Sequence, residues 1–218
     1  FHKQAWQQML NIHAAVNVAL PNLVGRYDRD KIVVEPTFFS EMLGLQGRMD
    51  MLQTDMRVLV EQKSGKAAFI PHDTDLAVPK YKEQHYIQML LYMAIIKYNY
   101  RDIYEENNQE LHSFLLYSQY PRSLVALGSA PRLLFKALKI RNLYVLQENY
   151  LRNGGIEDFM TQTPEDFNEK HVGGILWQRY QRPRIELMLS CYQEASELER
   201  AYFLRFYRFV ALEHALSK

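Results

Sequence analysis

Three residues between positions 50 and 63 have the types that phosphodiester chemistry uses: Asp50, Glu61 and Lys63. Two carboxylates supply hard oxygen ligands of the kind Mg²⁺ and Mn²⁺ prefer. A metal held there lowers the pKa of a bound water and offsets the charge building on a phosphate. An ammonium beside it would position that water or stabilise the transition state. The surrounding stretch, "GLQGRMDMLQTDMRVLVEQKSGKA" over Gly44–Ala67, reads as two strands and a turn. Met49 and Met51, then Val58 and Val60, alternate with polar neighbours, and "QTD" makes the turn. Side chains alternate across a strand, so Glu61 and Lys63 share a face. An antiparallel turn near Thr54 brings Asp50 opposite Glu61, and the backbone carbonyl of Gln62 would sit between the two acids as a third oxygen. The same charges also suit the wet face of a plain amphipathic hairpin.

Nearby residues bear on that choice. Gly44 and Gly47 flank the start of the strand, where a missing Cβ permits a sharp bend or a close approach. Arg48 and Lys66 could hold neighbouring phosphates. On the segment that follows, "QHYIQMLLY", Gln88 and Tyr92 lie one turn apart on one helix face, with Gln84 a turn earlier on the same stripe. Polar groups inside so apolar a helix need partners if buried; at the surface they need none.

These residues require a scaffold. "KQAWQQMLNIHAAVNVAL" places Trp6, Met9, Leu10, His13 and Val16 near helical spacing, with Pro21 as its stop. "DKIVVEPTFFSEML" is β-rich, and Pro36 marks an edge or a break. Residues 64–79 carry Gly65, Pro71 and Pro79 and read as a loop; Lys80–Tyr100 reads as a buried helix; Leu111–Tyr120 reads as a strand ended by Pro121. Beyond it the pattern is helical: one helix to a Gly154–Gly155 stop, a start at Thr163-Pro164-Glu165-Asp166, and a long amphipathic helix from about Ile185 to Ala215. Helix, three strands, helix, strand, then helices suits a mixed sheet in an α/β domain.

In that order, Gly44…Gly47-Arg48-Met49-Asp50, Glu61-Gln62-Lys63 and Gln88…Tyr92 resemble the RecB-type branch of the PD-(D/E)XK nuclease superfamily. That branch carries a G-x-x-G-R-x-D strand, then E-x-K, then Q-x-x-x-Y on the next helix. "GLQGRMD", "EQKSGK" and "QMLLY" are most similar to the nuclease domains of nuclease–helicases that trim flaps in DNA replication. The resemblance implies a restriction-endonuclease-like α/β core over residues 1–120, a mixed β-sheet flanked by helices. Residues 121–218 would be a helical extension packed on it and leading to a helicase-like domain. It implies Asp50 and Glu61 as metal ligands, to which the Gln62 carbonyl would add a third oxygen by its place on the strand, and Lys63 as the catalytic cation. Gln88 and Tyr92 would orient that lysine or contact DNA. The branch has a further His or Glu ligand on its first helix, for which His13 is the matching residue. Several members hold an iron–sulfur cluster on one upstream and three downstream cysteines; Cys191 is the single cysteine here, so no such cluster is expected.

The bulk numbers limit partners. The 218 residues carry 26 Lys and Arg against 25 Asp and Glu, so any nucleic-acid contact must use local positive charge. One such stretch exists: between Ser118 and Gln147 there is no acid, while Arg122, Arg132, Lys136, Lys139 and Arg141 are present. It could track a phosphate backbone or be a solvated helix face. "WQRYQRPR" mixes Arg with Trp177 and Tyr180, which could stack unpaired bases or pack inward. One cysteine makes a reducing cytoplasm the simplest compartment. "IQMLLYMAII" is too short to span a bilayer, and no signal peptide opens the chain. Phe1 stands first and a helical pattern runs into the last residues, so a piece of something longer is expected. The leading expectation is a Mg²⁺- or Mn²⁺-dependent deoxyribonuclease acting on single-stranded ends or flaps within a larger replication or repair nuclease–helicase. Two alternatives stand beside it: a nuclease-like fold retained as a DNA-binding or scaffolding module, and an RNA- or CRISPR-linked exonuclease of the same superfamily.

Overall fold

A computed structural model describes residues 2–68, 79–168 and 170–217. Of the loop read over 64–79, residues 69–78 lie outside the described residues. Contacts within the chain divide it into two compact units, Phe1–Ala137 and Leu138–Lys218.

The first unit opens with α1 (His2–Ala14), which runs through a π-helical turn at Ala15–Ala19 into α2 (Leu20–Leu23). Pro21 does not stop this helix. It sits in the first turn of α2, where a missing N–H costs least. Nor do Trp6, Met9 and Leu10 form the buried stripe: all three are exposed, and the face turned inward carries Asn11, Ala15 and Leu20.

Seven strands follow among the described residues. β1 (Ile32–Val34) and β2 (Thr37–Ser40) are separated at Pro36, after Glu35 with a φ of 53°. β3 (Leu45–Arg48), β4 (Met51–Gln53) and β5 (Val58–Lys63) complete the run. The motif stretch is thus three strands, not two. β3 pairs with β2 in a separate hairpin, whereas β4 and β5 belong to the main sheet. The main sheet has the order β1-β4-β5-β6-β7, with β6 (His112–Tyr117) and β7 (Leu124–Leu127). β5 and β6 are parallel and the other pairs antiparallel. Parallel neighbours need a crossover, and α3 (Glu83–Asn99) with α4 (Arg101–Glu106) lies in it. β7 contradicts the reading of everything past Pro121 as helical. "LVAL" is too short for its period to separate strand from helix, and pairing with β6 decides it.

Both faces of the sheet are covered. Val58 and Val60 of β5 and Phe114 and Leu116 of β6 pack on Ala15, Leu20 and Val24. Glu61 and Lys63, of opposite parity, reach Gln88 of α3 on the other face. β4 and most of β5 are therefore buried at successive positions rather than alternately.

In the second unit α5 (Pro131–Tyr150), which begins in the first, passes through a break at Gly154 (φ 107°) into α6 (Ile156–Met160). Thr163 and Asp166 form a capping box, but over only one 3₁₀ turn, Pro164–Phe167. The expected long terminal helix is two: α7 (Arg182–Gln193) and α8 (Glu197–Leu216). A capping box of Ser196 and Glu199 starts α8, a signal hidden by the continuous amphipathic pattern. Ile156, Met160, Leu189 and Tyr192 form this unit's core. Among the described residues no helix is long and apolar enough to cross a membrane.

Candidate functional site

β4 and β5 pair with Met51 opposite Val60, which sets Asp50, just before β4, beside Glu61. Asp50 Oδ2 accepts the backbone N–H of Gln62 at 2.7 Å. A strand residue points its N–H and C=O to the same side, so the Gln62 carbonyl also faces Asp50. The Gln62 side chain turns to the α1 face and donates to Ser118 Oγ at 2.9 Å, while Asn11 on α1 donates to the Ser118 carbonyl at 2.8 Å. Those bonds explain a buried Asn in α1 and tether the ends of β5 and β6 where the site lies.

On the α3 face the side chains form one connected set. Lys63 Nζ donates to Glu61 Oε1 at 2.8 Å and to Gln88 Oε1 at 2.9 Å. Gln88 Nε2 donates to Glu61 Oε1 at 2.8 Å and to the Tyr92 hydroxyl at 3.0 Å. The Tyr92 hydroxyl donates to the carbonyl of Arg48 at 2.9 Å. Gln88 thereby fixes both members of the Glu61–Lys63 pair, and Tyr92 ties α3 to the residue two before Asp50. Gly47 makes this possible. A Cβ there would stand 2.7 Å from Tyr92 Cε1, so only glycine lets the ring lie flat against β3.

Glu61 is 4% exposed, which removes the wet-face reading of the hairpin. Its Oε1 is fully engaged, but its Oε2 is buried with no hydrogen-bond partner among the described residues. Burial pushes its carboxyl above the usual carboxylate range; Lys63 and the nearby backbone N–H of Asp50 oppose this, and the charge of Asp50 adds to it. A buried carboxylate oxygen without a hydrogen-bond partner, on the residue that the register sets beside Asp50, is an arrangement a cation relieves.

Among the described residues, the side chains of the other expected residues make no hydrogen bond or ion pair to this set. His13 is exposed on α1. It is two positions from both Asn11 and Ala15, which places it on the helix side away from the buried stripe. No group of three or more His, Cys, Asp or Glu suited to a metal occurs among the described residues. Arg48 is exposed and pairs with Glu35 at 3.3 Å. Lys66, Gln84, Arg122, Arg132 and Lys136 are exposed in the first unit. Trp177 is buried, whereas Tyr180 is exposed on a groove of the second unit that Trp177, Arg184 and Tyr150 also line.

Comparison with protein-family models, with curated proteins and with solved structures finds no match to this chain. The chemistry is therefore read from geometry. One residue at the site escaped the sequence reading: His85, whose Nδ1 lies 2.8 Å from the Tyr117 hydroxyl. The inward stripe of α3 is His85, Gln88 and Tyr92, not Gln84, Gln88 and Tyr92. The signal was present, because His85 is also one turn before Gln88 and is the residue whose ring can use a buried partner.

Proposed function

We propose that this chain is a divalent-metal-dependent nuclease that hydrolyses DNA phosphodiester bonds, on a restriction-endonuclease-like core of the RecB type. The observation that carries the reading is Glu61: one oxygen locked by Lys63 and Gln88, the other buried and unpaired beside Asp50. The donor set fits Mg²⁺ or Mn²⁺, with the Asp50 carboxylate, Glu61 Oε2 and the Gln62 carbonyl as ligands and waters completing the shell. Such an ion, when bound, activates a water and neutralises phosphate charge. The protein's own groups do the rest. Gln88 holds Lys63 beside the acids, so its ammonium is positioned before substrate arrives. A preorganised donor of this kind is worth on the order of 3 kcal/mol of barrier. Tyr92 holds the β3–β4 connection, and with it Asp50, in place.

Single-stranded ends or flaps are the proposed substrates, within a larger replication or repair protein that also carries a helicase. The test is cleavage of end-labelled single-stranded DNA with Mg²⁺ or Mn²⁺ by the wild type, Asp50→Ala and Lys63→Ala. Metal-dependent cleavage by the wild type and loss of at least about a hundredfold in each variant is expected. Equal activity in all three removes the site. DNA binding that needs no metal, with no cleavage by the wild type, favours the binding-module alternative.

A further inference from the structure

His85 stands in the first turn of α3, one turn before Gln88. Its ring packs against Tyr117, which follows the register of β6 to lie beside Lys63 of β5. Tyr117 is 0% exposed. Its hydroxyl has two partners among the described residues: the backbone N–H of Lys82, which donates to it at 3.1 Å, and His85 Nδ1 at 2.8 Å. A hydroxyl carries one proton. If His85 Nδ1 were the donor, the Tyr117 oxygen would accept twice and its own buried proton would have no acceptor. The satisfied arrangement has Tyr117 donating to Nδ1, which puts the ring proton on Nε2. Nε2 makes no hydrogen bond to a described residue. Burial, then the charges of Lys63 and Lys82, hold the imidazole below its ordinary pKa, so the ring is neutral where a nuclease works. The positive end of the α3 dipole adds to the preference for an anion there.

We propose that His85 is a phosphate-binding residue, its Nε2–H donating to a non-bridging oxygen of a nucleic-acid backbone phosphate beside Lys63. The proposal rests on the nucleic-acid reading of the site, and it adds a substrate contact for which Tyr117 fixes the tautomer. Two substitutions separate this role from a structural one. His85→Asn places an amide near Nδ1, keeps an acceptor for Tyr117 and abandons the Nε2 position. His85→Gln places an amide N–H near Nε2 and abandons Tyr117. The measurement is the affinity of the full chain for a fluorescein-labelled single-stranded oligonucleotide in EDTA, with thermal melts of every variant. His85→Asn is expected to melt like the wild type and bind about tenfold more weakly, the scale of a charge-assisted hydrogen bond. His85→Gln is expected to bind within about threefold of the wild type even if it melts earlier. Wild-type affinity in His85→Asn, equal weakening in both variants, or no wild-type binding would each overturn the proposal. Intact binding with no metal-dependent cleavage would overturn the nuclease reading instead and leave the phosphate contact standing.

Discussion

Glu61 holds two kinds of oxygen in one carboxylate, and its titration follows from the difference. Burial raises its pKa in the folded chain, with the Asp50 charge adding and Lys63 and the Asp50 backbone N–H opposing. The folded state therefore binds the proton more tightly than the unfolded state. Its contribution to stability is fully present below the ordinary carboxylate range and is lost as pH rises through the raised folded value. Glu61→Gln keeps the shape and removes the titration. In urea melts in EDTA, the stability of Glu61→Gln relative to the wild type is expected to improve as pH rises out of the ordinary carboxylate range and to level off above the raised folded value. A difference that stays constant as pH rises would mean that the carboxyl is not held high. At this scale the sequence was informative about chemistry and silent about hydrogen bonding. Asp50, Glu61 and Lys63 could be picked out by type and parity. That Glu61 Oε2 is the orphan, and that His85 rather than Gln84 faces the sheet, depends on which helix face packs inward. Two neighbouring polar residues leave that ambiguous until β6 supplies Tyr117.

The elements matter through their contacts. β3 and α3 touch where Gly47 meets the Tyr92 ring, and the Tyr92 hydroxyl closes the contact on the Arg48 carbonyl. Gly47→Ala puts a methyl group 2.7 Å from Tyr92 Cε1, on a ring that is almost fully buried. The ring must tilt, which loosens both its bond to Arg48 and its bond from Gln88. A loss of about 1–3 kcal/mol in chemical denaturation is expected, the scale of overpacking. The companion Tyr92→Phe, Gly47→Ala double variant should lose less than the sum of the single losses, because the two changes disturb one contact. Strict additivity would separate Gly47 from Tyr92. Element types were legible where length or pairing left no choice: the buried α3, the break at Pro36, the β4–β5 turn. They were not legible where a neighbour decided. β7 became a strand because β6 offered an edge, and the helix before Pro21 continued because a π-turn preceded it.

Across the whole molecule the charges nearly cancel, 26 basic against 25 acidic, so attraction to a polyanion has to come from where the charges lie. Arg122, Arg132 and Lys136 are exposed cations of the first unit, in a stretch without acids between Ser118 and Gln147. If a nucleic-acid strand enters between Asp50, Lys63 and His85 as proposed and these cations follow it, each releases counterions when it binds. Replacing all three with Gln should lower the magnitude of the slope of log affinity against log salt by about 2 for single-stranded DNA, about 0.7 per contact. The control removes the same charge elsewhere, by changing the exposed Lys3, Lys97 and Arg179 to Gln. If global charge drives binding, the two triple variants lose the same slope; if a local track does, only the first loses it. A slope unchanged in the first variant would make this stretch a solvated helix face and confine the nucleic-acid contact to the acids, Lys63 and His85.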